Sequence, residues 1–279
     1  MTLANASIIG SLPHALFIDT HNRIYAVNHE NGQIHVWLDD EFDSYIILYG
    51  NLKHSKSVFA TTTGDIYVDN AETNHQVEKF TLNSNKSVPV MLVPGNCYGL
   101  FVDIADSIYC SVDNAHKVFK KWLGDNSTTI TTVAGNGSAG SAPNMLHYPN
   151  GIFVDTNFDL FVADLSNDRI QLFRLGQQDG ITVAGKSSTA PTIELSGPLN
   201  VILDGNRYLY IADHNNHRIV TSGPFGFRCI IGCVLRDSST DQLNGPRGIA
   251  FDSFGNLFIG DQQSHRIQKF ALRGNLCSK

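Results

Sequence analysis

Apolar and polar residues alternate in short blocks along the chain, and one arrangement of these blocks recurs. In the second half the sequence reads PNGIFVDTNFDLFVAD, PLNVILDGNRYLYIAD and PRGIAFDSFGNLFIGD. Each segment is a proline, an apolar run ending in aspartate, a polar turn, and a second apolar run ending in aspartate. Short runs rich in β-branched and aromatic residues between turn residues are typical of β-strands, so each segment predicts a pair of strands.

Three weaker copies precede these segments, reading PHALFIDTHNRIYAVN, SVFATTTGDIYVDN and CYGLFVDIADSIYCSV. The residue that ends the first run lies at positions 19, 61, 103, 155, 204 and 252, which gives a period of 42 to 52 residues. Strand-rich units of this length indicate a propeller. Around the fourth copy, alternation and turn residues predict four strands. They are Gly151 to Val154, Leu160 to Ala163, Arg169 to Arg174 and Ile181 to Ala184.

The sequence therefore predicts an all-β fold, a six-bladed β-propeller of four-stranded antiparallel blades. The copies fill the chain, so residues 1–279 are expected to form one propeller, with repeat cores near 13–37, 57–80, 97–122, 149–173, 198–220 and 246–270. After Asp252 there is room for about three strands before Lys279. We expect an N-terminal strand, Ser7 to Gly10, to complete the last blade and so remove an exposed edge.

A second spacing recurs after the second apolar run, where an arginine follows the aspartate by five residues. The pairs are Asp164 and Arg169, Asp213 and Arg218, and Asp261 and Arg266. They bracket the loop between the second and third strands, so their side chains can meet across it. We interpret these residues as a structural clamp; the alternative is that they form a functional site.

The signature D-x-x-N-x-R-I, after proline and an apolar run, resembles the NHL repeat. DLSNDRI from Asp164 and DHNNHRI from Asp213 match it, and DQQSHRI from Asp261 departs by Ser264 in place of asparagine. The resemblance covers essentially the whole chain and is weaker in the first three copies. It implies a six-bladed propeller and little about chemistry, because one fold hosts many functions.

The net charge and the apolar runs bear on which classes of partner the protein can bind. The formal net charge of −6 makes nucleic acid an unlikely partner, although Lys186, Arg236 and Arg247 could form a small basic patch. No apolar run is long enough to span a bilayer. We expect the protein to be a monomer, to have no cofactor and to bind a protein or peptide partner.

Five cysteines occur, at positions 97, 110, 229, 233 and 277, and we expect buried free thiols. If Cys229 and Cys233 lie on one continuous strand, they are about 13 Å apart, which is too far for a disulfide.

The candidate ligand contacts lie where the inner strands begin, on the face that carries the loops Gly135 to Tyr148, Gly185 to Gly197 and Gly232 to Gly245. The residues are His14, Tyr98, Asn150, Asn200 and Arg247, with His147 and Tyr148 beside them. The equivalents of His14 in the other copies are taken as Val58, Tyr98, Asn150, Leu199 and Arg247.

Metal chemistry is the alternative at this position. Some enzymes resemble the predicted fold: the peptidyl-amidoglycolate lyases are propellers that hold zinc with histidines near the starts of inner strands. His14 is one such residue, but catalytic zinc usually takes three protein ligands. His75, His116, His217 and His265 share one repeat position in different blades, and we interpret them as turn residues. We therefore predict no metal site and no catalytic residue, and a non-enzymatic binding propeller. A metal-dependent lyase or hydrolase acting at the channel mouth, or a nucleic-acid-binding propeller, is the alternative.

Overall fold

In a computed structural model, the described residues form 24 strands in six four-stranded antiparallel sheets, arranged as the blades of a propeller. The structure describes residues 2–5, 13–38, 45–49, 52, 54–70, 75–82, 84–125, 127, 129–188, 191–233 and 242–272. The predicted all-β, six-bladed fold is confirmed. The first three blades comprise β2 (Pro13–Ile18), β3 (Ile24–Asn28), β4 (Gln33–Trp37), β5 (Tyr45–Tyr49), β6 (Val58–Ala60), β7 (Asp65–Asp69), β8 (Gln76–Thr81), β9 (Ser84–Leu92), β10 (Cys97–Val102), β11 (Ser107–Val112), β12 (Lys117–Trp122) and β13 (Thr131–Ala134).

The last three blades carry the strong repeats. Their strands are β14 (Pro149–Val154), β15 (Leu160–Asp164), β16 (Arg169–Phe173), β17 (Ile181–Gly185), β18 (Pro198–Leu203), β19 (Leu209–Asp213), β20 (Arg218–Thr221), β21 (Arg228–Ile231), β22 (Pro246–Phe251), β23 (Leu257–Asp261) and β24 (Arg266–Phe270). The second and third strands of these blades are joined by single 3₁₀ turns, Leu165–Asn167, His214–Asn216 and Gln262–Ser264. No helix in the described residues is long and apolar enough to cross a membrane.

The ring closes through the N-terminus, as predicted, but with a different strand. β1 (Thr2–Ala4) pairs antiparallel with β24 and forms the outer strand of the sixth blade. Ser7 to Gly10, the predicted closing strand, lies outside the described residues. The prediction chose Ser7 to Gly10 because they resemble the outer strands of other blades. In β1, the small side chain of Ala4 is 2% exposed and packs in a core cluster with Trp37, Phe258 and Ile267.

The aspartate that ends each inner strand fixes the turn to the second strand. In the fourth blade, Oδ1 of Asp155 accepts hydrogen bonds from the backbone N–H groups of Asn157 and Asp159, at 2.8 and 3.0 Å. Asp19, Asp103, Asp204 and Asp252 each accept the same two bonds in their own blades. Thr61 in the second blade accepts one, from the N–H of Asp65. This repeat residue is therefore explained by backbone geometry.

The second aspartate ties the Asp–Arg pair to the loop that enters the blade. Oδ2 of Asp164 accepts a bond from Nε of Arg169 at 2.7 Å, while its Oδ1 accepts one from the backbone N–H of His147 at 2.7 Å. Asp213 and Asp261 bind Arg218 and Arg266 in the same way. Each pair thus holds both the strand connection and the long loop that precedes the inner strand.

The repeated histidine position is a turn residue, as predicted. His75, His116, His217 and His265 have φ values of 51° to 54°, and Asp168 takes their place in the fourth blade with 53°. The side chains also reach the next blade: Nδ1 of His217 accepts a bond from the N–H of Gly245, and Oδ1 of Asp168 accepts one from Gly197.

The hydrophobic core lies between the blades rather than at one centre. One cluster, for example, joins Phe161 and Ile170 of the fourth blade to Val201 and Ile211 of the fifth. The inner strands approach closely where a glycine stands. A Cβ added to Gly151 would lie 2.7 Å from the carbonyl oxygen of Leu199, so any larger residue would push these two blades apart.

The prediction of free cysteines is wrong. Cys97 and Cys110 form a disulfide between β10 and β11, with their Cα atoms 5.3 Å apart. Cys229 and Cys233 form a second, with Cα atoms 5.6 Å apart. The argument from strand spacing failed because β21 ends at Ile231 and the chain turns at Gly232, whose φ is 72°. Cys277 lies outside the described residues.

Candidate functional site

The six inner strands surround a central channel. The residue five positions before the end of each inner run is the second residue of its strand in five blades, and in the second blade it lies two residues before β6. These residues, here called the channel mouth, are His14, Lys56, Tyr98, Asn150, Leu199 and Arg247, and all six line a cavity of about 240 Å³. The mouth opens on the long-loop face because every inner strand begins there.

The structure brings five of the predicted contacts to this cavity. His14, Tyr98, Asn150, Asn200 and Arg247 line it. The assignment of Val58 as the second blade's equivalent of His14 is corrected to Lys56. The weak second copy lacks the proline and the final aspartate, so its alignment slipped by two residues. Counting back five positions from Thr61, as in the other copies, would have found Lys56.

Two cations flank one aromatic ring at the mouth. The guanidinium carbon of Arg247 is 5.5 Å from the centroid of the Tyr98 ring, and Nζ of Lys56 is 5.7 Å from it. Burial lowers the pKa of Arg247 to about 10, so the guanidinium stays charged at neutral pH. Burial, together with the nearby charge of Asp113, raises the pKa of Tyr98, so its phenol stays neutral.

Arg247 carries an unused donor. The residue is 8% exposed, and its Nη2 is buried without a hydrogen-bond partner anywhere in the described part of the chain. Nδ1 of His14 is likewise buried without a hydrogen-bond partner in the described residues. A buried polar group without a partner is costly and rare in folded proteins. Both atoms belong to residues of the channel mouth.

A row of three histidines runs outward from the mouth, which the sequence did not predict. The rings of His14 and His29 are stacked with centroids 4.1 Å apart, and His29 meets His54 edge-on at 5.0 Å. Burial, with the positive charges of Arg247 and Lys56 and the neighbouring imidazole of His29, lowers the pKa of His14 far below its usual value. Burial also lowers the pKa of His29. Nε2 of His29 lies 3.4 Å from Nδ1 of His54 and 3.4 Å from Nζ of Lys56. Among the described residues, no group of three or more metal-ligating side chains is placed to hold a metal ion.

His147 and Tyr148 form a separate cluster on the rim. Their rings stack with centroids 5.0 Å apart, and both meet the ring of His116 edge-on. The N–H of Tyr148 donates to Nδ1 of His116 at 3.3 Å. Neither His147 nor Tyr148 lines the cavity. Tyr148 is 42% exposed and lies two residues before Asn150, which does line it.

Below the mouth, the channel wall is apolar. Four phenylalanines, here called the aromatic arc, follow one another around successive blades: Phe17, Phe59, Phe101 and Phe153. Their neighbouring ring centroids are 4.4, 5.0 and 5.1 Å apart. The fifth and sixth blades place Ile202 and Ala250 at this level. The arc is therefore interrupted beneath Arg247, where the smaller alanine leaves room.

The opposite face carries short turns with exposed apolar tips. Ile104 and Phe254, between first and second strands, are 74% and 75% exposed, and Phe225, between third and fourth strands, is 90% exposed. A cavity of about 470 Å³ also lies on this face between the fifth and sixth blades, and Pro224, Ser253 and Gly255 are among the residues that line it.

No family model matches the chain, and no curated protein matches it by sequence. The NHL signature is thus a resemblance of motif rather than a demonstrated membership.

Solved structures resemble the chain in fold. A structural genomics protein of unknown function from Bacteroides thetaiotaomicron is 14% identical with a TM-score of 0.75, over 94% of this chain and 69% of that one. An auxiliary nutrient binding protein from the same organism is 17% identical with a TM-score of 0.72, over 93% and 68%. Virginiamycin B lyase from Staphylococcus aureus is 13% identical with a TM-score of 0.64, over 97% and 87%. At these identities the comparisons show the propeller fold alone.

Proposed function

We propose that the protein is a non-enzymatic binding propeller of the NHL-repeat type, which presents its long-loop face and channel mouth to a protein or peptide. The observation that carries this proposal is the channel mouth itself. It joins a few convergent polar groups, two of them with unused buried donor or acceptor atoms, to an apolar channel. This combination is typical of ligand sites.

The surroundings support the same face. The loops that enter the fourth, fifth and sixth blades are anchored by Asp164, Asp213 and Asp261. A rigid scaffold with loops held at one end is the usual arrangement of a binding surface. Similar propellers include two described as auxiliary nutrient binding proteins, so the architecture is compatible with binding. The acidic net charge argues against a nucleic acid as the partner.

A metal-dependent lyase is the second candidate, favoured by one observation: His14, His29 and His54 are neighbours in space at the mouth. A fold of this kind also supports a streptogramin B lyase. The stacking of His14 on His29, and the buried guanidinium of Arg247 beside them, make the mouth a poor site for another cation. Elemental analysis of protein purified without chelator distinguishes the two, since about one zinc per chain would favour the lyase.

The binding proposal is tested with a displayed library of random peptides selected on the whole chain. Selected peptides are then synthesised and titrated against the wild type, Tyr148→Ala and Phe225→Ala. Tyr148 lies on the rim of the long-loop face, and Phe225 is an exposed ring of the opposite face, so they form a matched pair.

We expect Tyr148→Ala to weaken binding by at least about tenfold, as loss of a contacting aromatic residue does. Phe225→Ala should bind as the wild type does. Loss of binding in Phe225→Ala with Tyr148→Ala unaffected would move the binding surface to the opposite face. Failure to select any peptide that binds reproducibly would count against the proposal.

A further inference from the structure

Charged side chains gather around one aromatic ring at the channel mouth. The chain carries a formal net charge of −6, yet the mouth gathers Arg247 and Lys56 around the Tyr98 ring. Two carboxylates act on the same ring, since, besides burial, Asp113 and the buried Asp69 both raise the pKa of Tyr98, and Asp113 also acts on Arg247. The feature that suits the mouth to an anion is therefore not its net charge but the buried Nη2 donor of Arg247, which has no hydrogen-bond partner in the described residues.

Arg247 is built to receive that anion. Its guanidinium carbon lies 5.5 Å from the centroid of the Tyr98 ring, and its Nη2 has no partner in the described residues. A guanidinium binds a planar carboxylate through two parallel hydrogen bonds. The adjacent Nδ1 of His14, also without a partner, can donate a further bond to such a group once it carries a proton.

The shape below Arg247 selects what carries the anion. Ala250, three residues along the same strand, leaves room on one side of the channel, and the aromatic arc lies across from it. An aromatic or large aliphatic side chain would pack against the arc, where ring centroids are already 4.4 to 5.1 Å apart. The cavity of about 240 Å³ lies below the usual range of ligand sites, which favours a single residue over a large cofactor.

We propose that the channel mouth binds the free carboxylate of a peptide's C-terminal residue, with the carboxylate on Arg247 and an aromatic or apolar side chain against the aromatic arc. This inference rests on the proposed binding function and names its recognition chemistry. A carboxylate fits better than a phosphate because Asp113, bonded to Tyr98, repels a second negative charge.

The test uses N-acetyl-L-phenylalanine as the minimal probe, titrated calorimetrically into the whole chain. The neutral probe N-acetyl-L-phenylalanine amide has the same ring and differs only at the carboxylate. We expect the acid to bind at least about tenfold more tightly than the amide, because the lost bonds involve a charged group. Phenyl phosphate, with the same ring and a dianionic group, should bind more weakly than the acid.

Variants assign the effect to one residue. Arg247→Met keeps the length of the side chain and removes the charge, and we expect it to lose at least about tenfold in affinity for the acid. Arg247→Lys keeps the charge without the planar fork and should be intermediate. Arg228→Met, at an exposed arginine of β21, is the matched control and should bind as the wild type does.

Each other outcome overturns the proposal. Equal binding of the acid and the amide would show that the carboxylate is not recognised. Tighter binding of phenyl phosphate would show that the site prefers a phosphate to a carboxylate. Unchanged affinity of Arg247→Met for the acid would show that Arg247 does not bind the carboxylate. If Arg247→Met does not fold, the comparison of the probes on the wild type still decides. Selected peptides that bind equally with free and amidated C-termini would defeat this inference while leaving the binding function intact; the absence of any peptide binding would defeat the binding function itself.

Discussion

Removal of the Asp164 carboxylate tests whether the repeated Asp–Arg pair holds the fold together. Asp164 is fully buried and accepts bonds from Nε of Arg169, Nδ2 of Asn167 and the N–H of His147. Burial raises the pKa of this carboxyl, and the three donated bonds act against that shift. Asp164→Ala deletes all three acceptor contacts at once.

The cost follows from what stays behind. The side chain of Arg169 is 3% exposed, so its charge loses its partner inside the protein. Removing one partner of a buried ion pair costs about 3–5 kcal/mol. Arg169 keeps bonds to the carbonyl groups of Ser141 and Met145, which moderates the loss. We expect about 4 kcal/mol, or a fall in melting temperature of about 10 °C for a chain of this size.

Urea unfolding followed by tryptophan fluorescence measures this loss, with two controls in the same chain. Asp213→Ala should cost less, because the side chain of Arg218 is 23% exposed and water can replace part of the lost contact. Asp179→Ala, at an exposed turn residue, should lie within about 0.5 kcal/mol of the wild type. In the Arg169→Met background, Asp164→Ala should cost much less. A loss below about 1 kcal/mol in Asp164→Ala would refute the clamp.

Two further predictions concern other buried groups. Burial lowers the pKa of His35, so the folded state binds fewer protons than the unfolded state. This group's contribution to stability is full above its unfolded pKa of about 6.5 and is lost progressively as pH falls from there towards the lower folded pKa. The free energy of unfolding of His35→Phe should therefore fall less between pH 7.5 and 5 than that of the wild type, and parallel curves would contradict this. For the disulfides, differential alkylation and mass spectrometry should show Cys229–Cys233, half exposed, opening in mild reductant while the fully buried Cys97–Cys110 stays closed. Replacing Cys97 and Cys110 by alanine should cost about 3 kcal/mol by the loop-entropy relation, and equal reactivity of the two bonds would contradict the assigned burial.

The fold could be predicted because the residues that build it recur. The aspartate at the end of each inner strand accepts backbone bonds wherever it stands, so its spacing along the sequence reports the spacing of the blades. The strands predicted around the fourth copy end within one or two residues of β14 to β17. The Asp–Arg spacing likewise marked three pairs that lie 2.7 to 2.8 Å apart.

The rest depends on contacts between blades, which no local pattern records. His14 and His29 lie in one blade but at the ends of different strands, and His54 enters from the following loop. The disulfide of Cys229 and Cys233 required the turn at Gly232, a backbone conformation that strand spacing does not contain. Lys56 was missed because the second copy has lost the proline and aspartate that fix its alignment.

The contrast between two repeat positions explains where function can lie on this scaffold. At the end of the inner strands, five of the six residues are aspartate and the sixth is Thr61, because the position must accept backbone N–H groups to form the turn. Five residues earlier the side chains lie at the channel mouth, facing the channel rather than a backbone donor, and all six differ: His14, Lys56, Tyr98, Asn150, Leu199 and Arg247. The turn requires a hydrogen-bond acceptor at the end of the inner strand, whereas the fold requires no particular side chain at the channel mouth. The residue at the mouth is therefore free to serve a ligand. The buried guanidinium of Arg247, which is costly to the fold and keeps an unused donor, is the member of this ring whose presence most needs a ligand to explain it.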